Sequence, residues 1–319
     1  MSGPAPNVDT GALAPVSQCW VCGGRQLTPY HEARFDFTPY ADQDPELFAY
    51  TGRRVRLVRC ATCGFGQPEA LPTLPRFFDR MYDQRWADEW VVQEFDGDYK
   101  DFIFRSILGE LATRIPTGRR RLLDVGAHAG RFLSLASDAG WEVEGIELNP
   151  KTAAYAARRT GAPVHQVNAR ELALGGRRFT AITLTDVLEH IPEPSALLAD
   201  LAALIEPGGA IAVKVPCGRS QAIKERVLAA VTRHEVSLAG NLVHVNHFTP
   251  GSLGRLLGRV GFDAVDVRTG APELPPSGGL FAKASNLARL AVYAAARLPG
   301  GVHTPLALNL QAYATWSGR

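Results

Sequence analysis

The chain has 319 residues, 46% of them hydrophobic, with 34 basic against 32 acidic side chains and a pI near 8.3. That length and apolar content fill a real core, as one large α/β domain plus a small module or as two ordinary domains, and argue against a disordered chain. The near balance of charge excludes a field strong enough to draw the whole protein onto nucleic acid or an anionic membrane.

Residues 1–15 read as a loose tail, since Gly, Pro and Ala recur there without the basic start and apolar run of a secretory signal. Residues 16–70 carry four of the five cysteines as two pairs, Cys19-Trp-Val-Cys22-Gly and Cys60-Ala-Thr-Cys63-Gly, with 37 residues between the inner members. A two-residue turn lets both thiolates of a pair face one ion, and Gly23 and Gly64 let the backbone curl so that its amides reach the sulfurs. Two such knuckles complete a tetrahedron. Cys19, Cys22, Cys60 and Cys63 therefore read as ligands of a structural Zn2+, a closed set with a folding role and no open position for substrate. Two disulfides, or one redox pair, are the alternative, and a chain without an export signal disfavours them. Cys217 stands apart and reads as a packed small residue. Between the pairs, Gly52–Arg59 (GRRVRLVR) alternates as a strand, its arginines forming a solvated face or a patch for an acidic partner.

Residues 71–118 form a helical connector, or cap. Phe77, Phe78, Met81 and Tyr82, then Phe102, Phe104, Ile107, Leu108 and Leu111, recur at helical spacing and suit a roof over a ligand pocket. From residue 119 to 319 strands and helices alternate. Strands are expected at Leu122–Val125, Glu142–Ile146, Val164–Val167, Phe179–Thr185 and Ala210–Val215. Helices fall at Gly130–Ala139, Pro150–Arg159 and Ser195–Ile205. Alternation of this kind implies an α/β fold with a parallel, doubly wound sheet. An insertion at 216–249 holds a helix (Gln221–Thr232), then come a helix at Pro250–Val260 and a strand at Phe262–Val267. A second insertion, 271–301, surrounds the most apolar stretch, Leu287–Leu298, which is too short for a membrane span and carries Arg289 and Arg297. Leu306–Thr315 reads as a closing strand. A cytoplasmic protein with no membrane contact is expected.

The strand Leu122–Val125 runs into Asp124-Val-Gly126-Ala-His128-Ala-Gly130. One glycine makes the tight turn, a second allows close approach at the helix start, and small residues let the backbone cradle a ligand. His128 stands where a dinucleotide loop has its middle glycine, so a smaller ligand fits better. Glu147 ends the next strand, 23 positions after Asp124. An acid there can accept both hydroxyls of a ribose, or it is simply a charge at the N-terminus of the following helix.

Across Arg121–Val267 the ordered motifs LLDVGAHAGRFL, VEGIELNP, VNARE, FTAITLTDVLEHIPEP and LIEPGGAIAVKVP resemble those of class I S-adenosylmethionine (SAM) dependent methyltransferases, which have a Rossmann-like sheet. The resemblance implies that Asp124, Gly126, Ala127, His128 and Gly130 hold the methionine end of SAM. It also implies that Glu147, with Leu148 beside it, holds the ribose, and that Asn168 and Ala169 flank the adenine. Asp186 to His190, Leu188 included, then line the site, and the Tyr82 segment (MYDQRW) resembles a helix that covers SAM in related enzymes. Two positions depart from the family pattern, His128 for a glycine and Asn168 for an aspartate.

The sulfonium methyl is already activated, so alignment and exclusion of water are the main tasks, with a base needed for a hydroxyl or carbon acceptor. His190, His244 and His247 are the candidates. The cysteine module ahead of such a domain resembles that of sugar C-methyltransferases acting on nucleotide-linked deoxysugars, which place a Glu-His pair where this chain reads Asn246-His247. The histidine matches and the glutamate does not, so His247 is expected as base or substrate ligand, and methylation of a hydroxyl is as well supported as that of carbon. The acceptor is expected to be a sugar, nucleotide sugar or secondary metabolite. RNA methylation, with the cysteine module as a handle, ranks second, because Arg53, Arg54, Arg56 and Arg59 alone hint at a basic face.

Overall fold

The computed structural model describes residues 11–83, 88–116, 118, 120–232, 240–276 and 278–318. Most of the expected tail, Gln84 to Trp86 of the MYDQRW segment, and part of the first insertion therefore lie outside the described residues.

The first third is built on the two cysteine turns. Its elements are β1 (Leu13–Pro15), β2 (Leu27–Arg34), α1 (Pro45–Phe48), β3 (Arg54–Cys60), β4 (Gly66–Pro68) and β5 (Ala70–Pro72). β2, β3 and β4 form an antiparallel sheet in that order, and β1 pairs with β5, so residues 13–15 of the expected tail are strand. Phe35, Phe37, Leu47, Tyr50 and Leu57 fill a small core, and Phe77 and Met81 of α2 (Phe77–Asp83) belong to that core too. The expected connector thus divides. α2 packs with the module, while α4 (Asp101–Arg114) buries Ile103, Ile107 and Leu111 against the large sheet. Between them, α3 (Asp88–Asp96) sets Val91 and Phe95 on Ala129.

The large sheet begins at β6 (Arg121–Val125), and α5 (Arg131–Asp138), β7 (Glu142–Ile146), α6 (Pro150–Thr160), β8 (Val164–His165), α7 (Ala169–Leu174), β9 (Phe179–Thr185), α8 (Pro194–Ala202) and β10 (Ile205–Pro216) follow. Beyond these lie α9 (Gly218–Thr232), α10 (Pro250–Val260), β11 (Asp263–Thr269), α11 (Leu280–Ala296) and β12 (Asn309–Thr315). Among the described residues the sheet has seven strands in the order β11-β12-β10-β9-β6-β7-β8, with β12 antiparallel to both its neighbours. β12 starts at Asn309, three residues into the expected closing strand.

Period-2 alternation puts a different core on each face. Leu122, Ala181, Ala210, Ala212 and Tyr313 meet α4 and α5, whereas Leu123, Val125, Ile182, Leu184, Ile211 and Val213 meet α8 and α10. Helix ends follow local chemistry. Asn149 caps α6 ahead of Pro150 and Gly161 closes it at φ 70°, and Thr249 and Ser252 form a capping box on α10.

The module docks on the second face. Phe65 meets Phe248 with ring centroids 5.1 Å apart, and Arg259 donates to the Val21 carbonyl at 2.9 Å. Gly66 and His247 exchange backbone hydrogen bonds of 3.0 and 2.8 Å. A methyl on Gly66 would stand 2.9 Å from His247 Cβ and 2.5 Å from the Tyr30 hydroxyl. Gly66→Ala is therefore expected to lower stability by about 1–3 kcal/mol in urea unfolding. An unchanged midpoint would mean that the bridge between module and sheet bears no strain.

Candidate active site

The loop after β6 turns because its residues leave it little choice. Gly126 and Ala127 both donate to the Ile146 carbonyl at 2.9 Å, and Gly126, His128 and Gly130 have φ of 73°, 49° and 88°. A side chain on Gly126 would stand 2.7 Å from a Val187 methyl, and one on Gly130 would meet Thr160 and Ala156 at 3.0 and 3.1 Å. His128 tolerates its left-handed backbone at a cost of roughly 1–2 kcal/mol, and its amide donates to Glu147 Oε2 at 3.0 Å. Burial, then the nearby Lys100 charge, push the His128 imidazole down to about 3, so it is neutral.

Two acids face this loop. Asp124 is buried and accepts from the Thr183 hydroxyl at 2.7 Å. Burial pushes its carboxyl up to about 7, with the Glu147 charge adding to the rise and the Thr183 bond opposing it. Glu147 is raised by burial while the Asn149 and His128 amides pull it down, and each of its oxygens accepts one of those amides. Two desolvated carboxylates around a glycine cradle suit a ligand that is cationic at one end and carries hydroxyls at the other. Asn168 is exposed and caps α7 by accepting from the Glu171 amide at 2.9 Å, and Ala169 behind it is buried. Asn and Asp cap helices equally well, which accounts for the departure at this position.

A charged cluster closes the end of β9. Lys214, 3% exposed near the C-terminal end of β10, hydrogen-bonds Asp186, and Lys100 lies 3.9 Å from the same carboxylate. Burial alone would raise Asp186, but the two ammonium groups outweigh it and hold the carboxyl at about 2. Glu189, 1% exposed, is pushed well above the usual carboxylate range by burial and by the Asp186 charge. Leu188 between them is fully buried.

The 240–249 segment lies over this cluster. Buried Asn246 donates to the Leu188 and Ile191 carbonyls at 2.6 and 2.7 Å, and its backbone amide donates to Glu189 O at 3.0 Å. His190 Nδ1 is 2.6 Å from the Val243 carbonyl, and the Tyr82 hydroxyl donates to that same oxygen at 3.1 Å. The Tyr82 hydroxyl is also 2.5 Å from His190 Nδ1, and because a carbonyl only accepts, the Val243 contact suits the tautomer with the proton on Nδ1 and the lone pair on Nε2. His244 lies edge-on to His190 with centroids 4.9 Å apart, and burial, with both neighbouring imidazoles, drives it down to about 3. Ligand-type atoms of Glu189, His190 and His244 fall within 4.8 Å of one another, a set able to take a divalent cation. His247 turns the other way: its ring stands edge-on to Tyr30 of the module at 6.0 Å, with burial holding it at about 4.

The four module cysteines converge, all four sulfurs lying within 4.8 Å of one another. The Cys19–Cys63 and Cys22–Cys60 pairs are 3.6 and 3.5 Å apart, near the edge of about 3.8 Å that a tetrahedron of 2.3 Å metal–sulfur bonds requires. The turns repeat each other, with Gly23 donating to Cys19 O and Gly64 to Cys60 O, both glycines at φ 73°. Cys63 hydrogen-bonds Cys19 and draws it down to about 5, while Cys63 itself is pushed up, so four thiolates can coexist only around a cation.

Residues 95–267 match the profile of the methyltransferase domain family. The chain belongs to that family. It is a SAM-dependent methyltransferase with a Rossmann-like fold. The ubiquinone biosynthesis O-methyltransferase of Cereibacter sphaeroides is 26% identical over 186 residues, 57% of this chain and 70% of that protein. Among solved structures, Streptomyces venezuelae DesVI is 26% identical over 40% of this chain and 57% of its own, with a TM-score of 0.35. The sugar N-methyltransferase KedS8 of Streptoalloteichus is also 26% identical, over 43% and 52%, with a TM-score of 0.33. The chain thus spans just over half the length of those two solved proteins.

In this methyltransferase Asp124, Gly126, Ala127, His128, Gly130 and Glu147 come together at the ends of β6 and β7, with Leu148 exposed at the rim. Tyr82, His190 and His244 gather at the end of β9, and His247 faces the module instead. Lys214 and Lys100 escaped the sequence reading, although a lysine inside AIAVKV breaks an otherwise apolar strand and is a legible signal. Removing Lys214 leaves the half-buried Asp186 carboxylate beside Glu189 without its nearest counter-ion. Lys214→Met is expected to destabilise the protein by about 3–5 kcal/mol in urea unfolding, and adding Asp186→Asn should recover most of it. Simple additivity of the two losses would show that the pair is not coupled.

Proposed function

We propose that this methyltransferase methylates a hydroxyl of a sugar, nucleotide sugar or related secondary metabolite, with His190 as the general base. The observation that carries the reading is the 2.6 Å contact of His190 Nδ1 with the Val243 carbonyl, which favours the tautomer whose lone pair is on Nε2. A base oriented by a fixed acceptor on its other nitrogen is the arrangement that hydroxyl activation needs. His244, too weakly basic to take a proton, positions the acceptor, and the Tyr82 hydroxyl touches both His190 Nδ1 and the Val243 carbonyl, tying the ring to that segment.

SAM supplies a methyl already activated on a sulfonium sulfur. Asp124 and the Gly126–Gly130 loop hold its methionine end, Glu147 with Leu148 its ribose, and Asn168 and Ala169 its adenine side. Carbon methylation is less well supported. Asn246, where sugar C-methyltransferases have a carboxylate, is locked as a donor to two carbonyls and has no proton-accepting role. The relative from C. sphaeroides is an O-methyltransferase, in agreement with a hydroxyl acceptor. An RNA acceptor lacks its basic face, since Arg54 and Arg56 are paired with Glu32 and Glu69 and Arg59 covers Tyr30.

Methyl-labelled SAM incubated with fractionated small-molecule extract tests the reading. Label should enter glycosylated or nucleotide-sugar fractions as an O-methyl group. His190→Ala should keep SAM affinity by calorimetry and lose about 10²–10⁴ in kcat, whereas Glu147→Ala should lose SAM binding itself. If His247→Gln, and not His190→Ala, abolishes turnover, the base assignment moves to His247.

Cys19, Cys22, Cys60 and Cys63 hold a structural Zn2+ in this reading, as their spacing and their crowding of like charge support. One zinc per chain is expected by elemental analysis. Cys60→Ser should reduce that content and lower the thermal midpoint by about 6 °C or more, corresponding to about 3 kcal/mol. A metal-free preparation as stable as the loaded one would sink the assignment.

A further inference from the structure

The face of α11 that points away from the protein is apolar along its whole length. Leu280 and Phe281 are 90% and 89% exposed, Leu287 is 67% and Leu298, just past the helix, is 66%. At 100° per residue, Leu280, Leu287 and Leu298 fall in one line, with exposed alanines filling the stripe between them. Among the α11 residues Ala296 alone is buried. The inner face is anchored, with Tyr293 edge-on to Phe102 of α4 at 5.8 Å and the Thr269 hydroxyl donating to Ala296 O at 2.7 Å.

A stripe of this kind marks an interaction surface, and its charges select the partner. Lys283 and Arg297 are exposed along one edge of it, and residues 274–319 contain no Asp or Glu. A second copy laid antiparallel on the stripe would bring the Lys283–Arg297 edge against the same positive edge with no acid to offset it. An anionic lipid surface complements both the apolar stripe and its basic edge. No helix among the described residues is long and apolar enough to cross a membrane, so α11 would lie in the plane of the surface.

We infer that α11 seats the protein on anionic membranes. The segment leading into α11 passes the catalytic end, where the Leu274 amide donates to Tyr99 O at 2.8 Å, one residue from Lys100. The seated protein therefore presents its site close to the lipid headgroups. This departs from the expectation of no membrane contact drawn from the whole-chain charge, because the basic bias is confined to one segment. It does not rest on the identity of the acceptor, since lipid binding is read without turnover.

The test is flotation of the full chain with vesicles of phosphatidylglycerol and phosphatidylcholine against vesicles of phosphatidylcholine alone. The bound fraction should be about tenfold higher on the anionic vesicles and fall in high salt. Leu287→Asp, and separately Lys283→Glu with Arg297→Glu, should abolish the difference while SAM affinity is unchanged. Equal or absent binding to both vesicles overturns the inference, as does binding that Leu287→Asp leaves intact. A concentration-dependent dimer that Leu287→Asp dissociates, without vesicle binding, assigns the face to a second copy instead.

Discussion

Asn246 holds the catalytic end together. Its amide donates to the carbonyls of Leu188 and Ile191, and its own backbone binds Glu189, so the turn after β9 and the 242–249 segment form one unit. A buried amide that satisfies two orphan carbonyls is worth more than its two bonds alone, because losing it strands both acceptors away from water. The position of the Val243 carbonyl against His190 Nδ1 depends on that unit.

The same segment is the joint between the cysteine module and the sheet. His247 pairs with Gly66 immediately after the second cysteine turn, and Thr249 Oγ1 donates to Cys63 O at 3.4 Å. A folding role for the proposed metal is therefore not remote from chemistry: the turn it stabilises is three residues from the strand that carries the 242–249 segment. His247 belongs to this joint, where its packing on Tyr30 makes it a contact between two layers.

The sheet was legible because β10 carries an apolar run broken by Lys214 alone (AIAVKV), because β9 interleaves apolar residues with threonines, and because Pro150, Gly161 and Thr249 punctuate helices by local rules. The cradle was legible for the same reason: Gly126 and Gly130 sit at positive φ and tight contacts that other residues cannot meet. The catalytic end was harder to read. Whether His190 or His247 faces the strand ends depends on how a long insertion folds back over them, which no local spacing encodes. The divided connector is a similar case, since Met81 and Ile107 share a helical period while belonging to different cores.

β12 adds a constraint on how the chain is made. It pairs with β10 along Ala210–Pro216, yet about a hundred residues separate them in sequence. During synthesis the outer edge of β10 remains open until residues 309–315 have left the ribosome, many seconds later at about 5–20 residues per second. Through that interval an apolar strand edge is exposed to any neighbouring chain, a known route to edge-to-edge aggregation. Lys214 lies within that edge strand, and a charged residue there opposes intermolecular pairing before it becomes the counter-ion of Asp186.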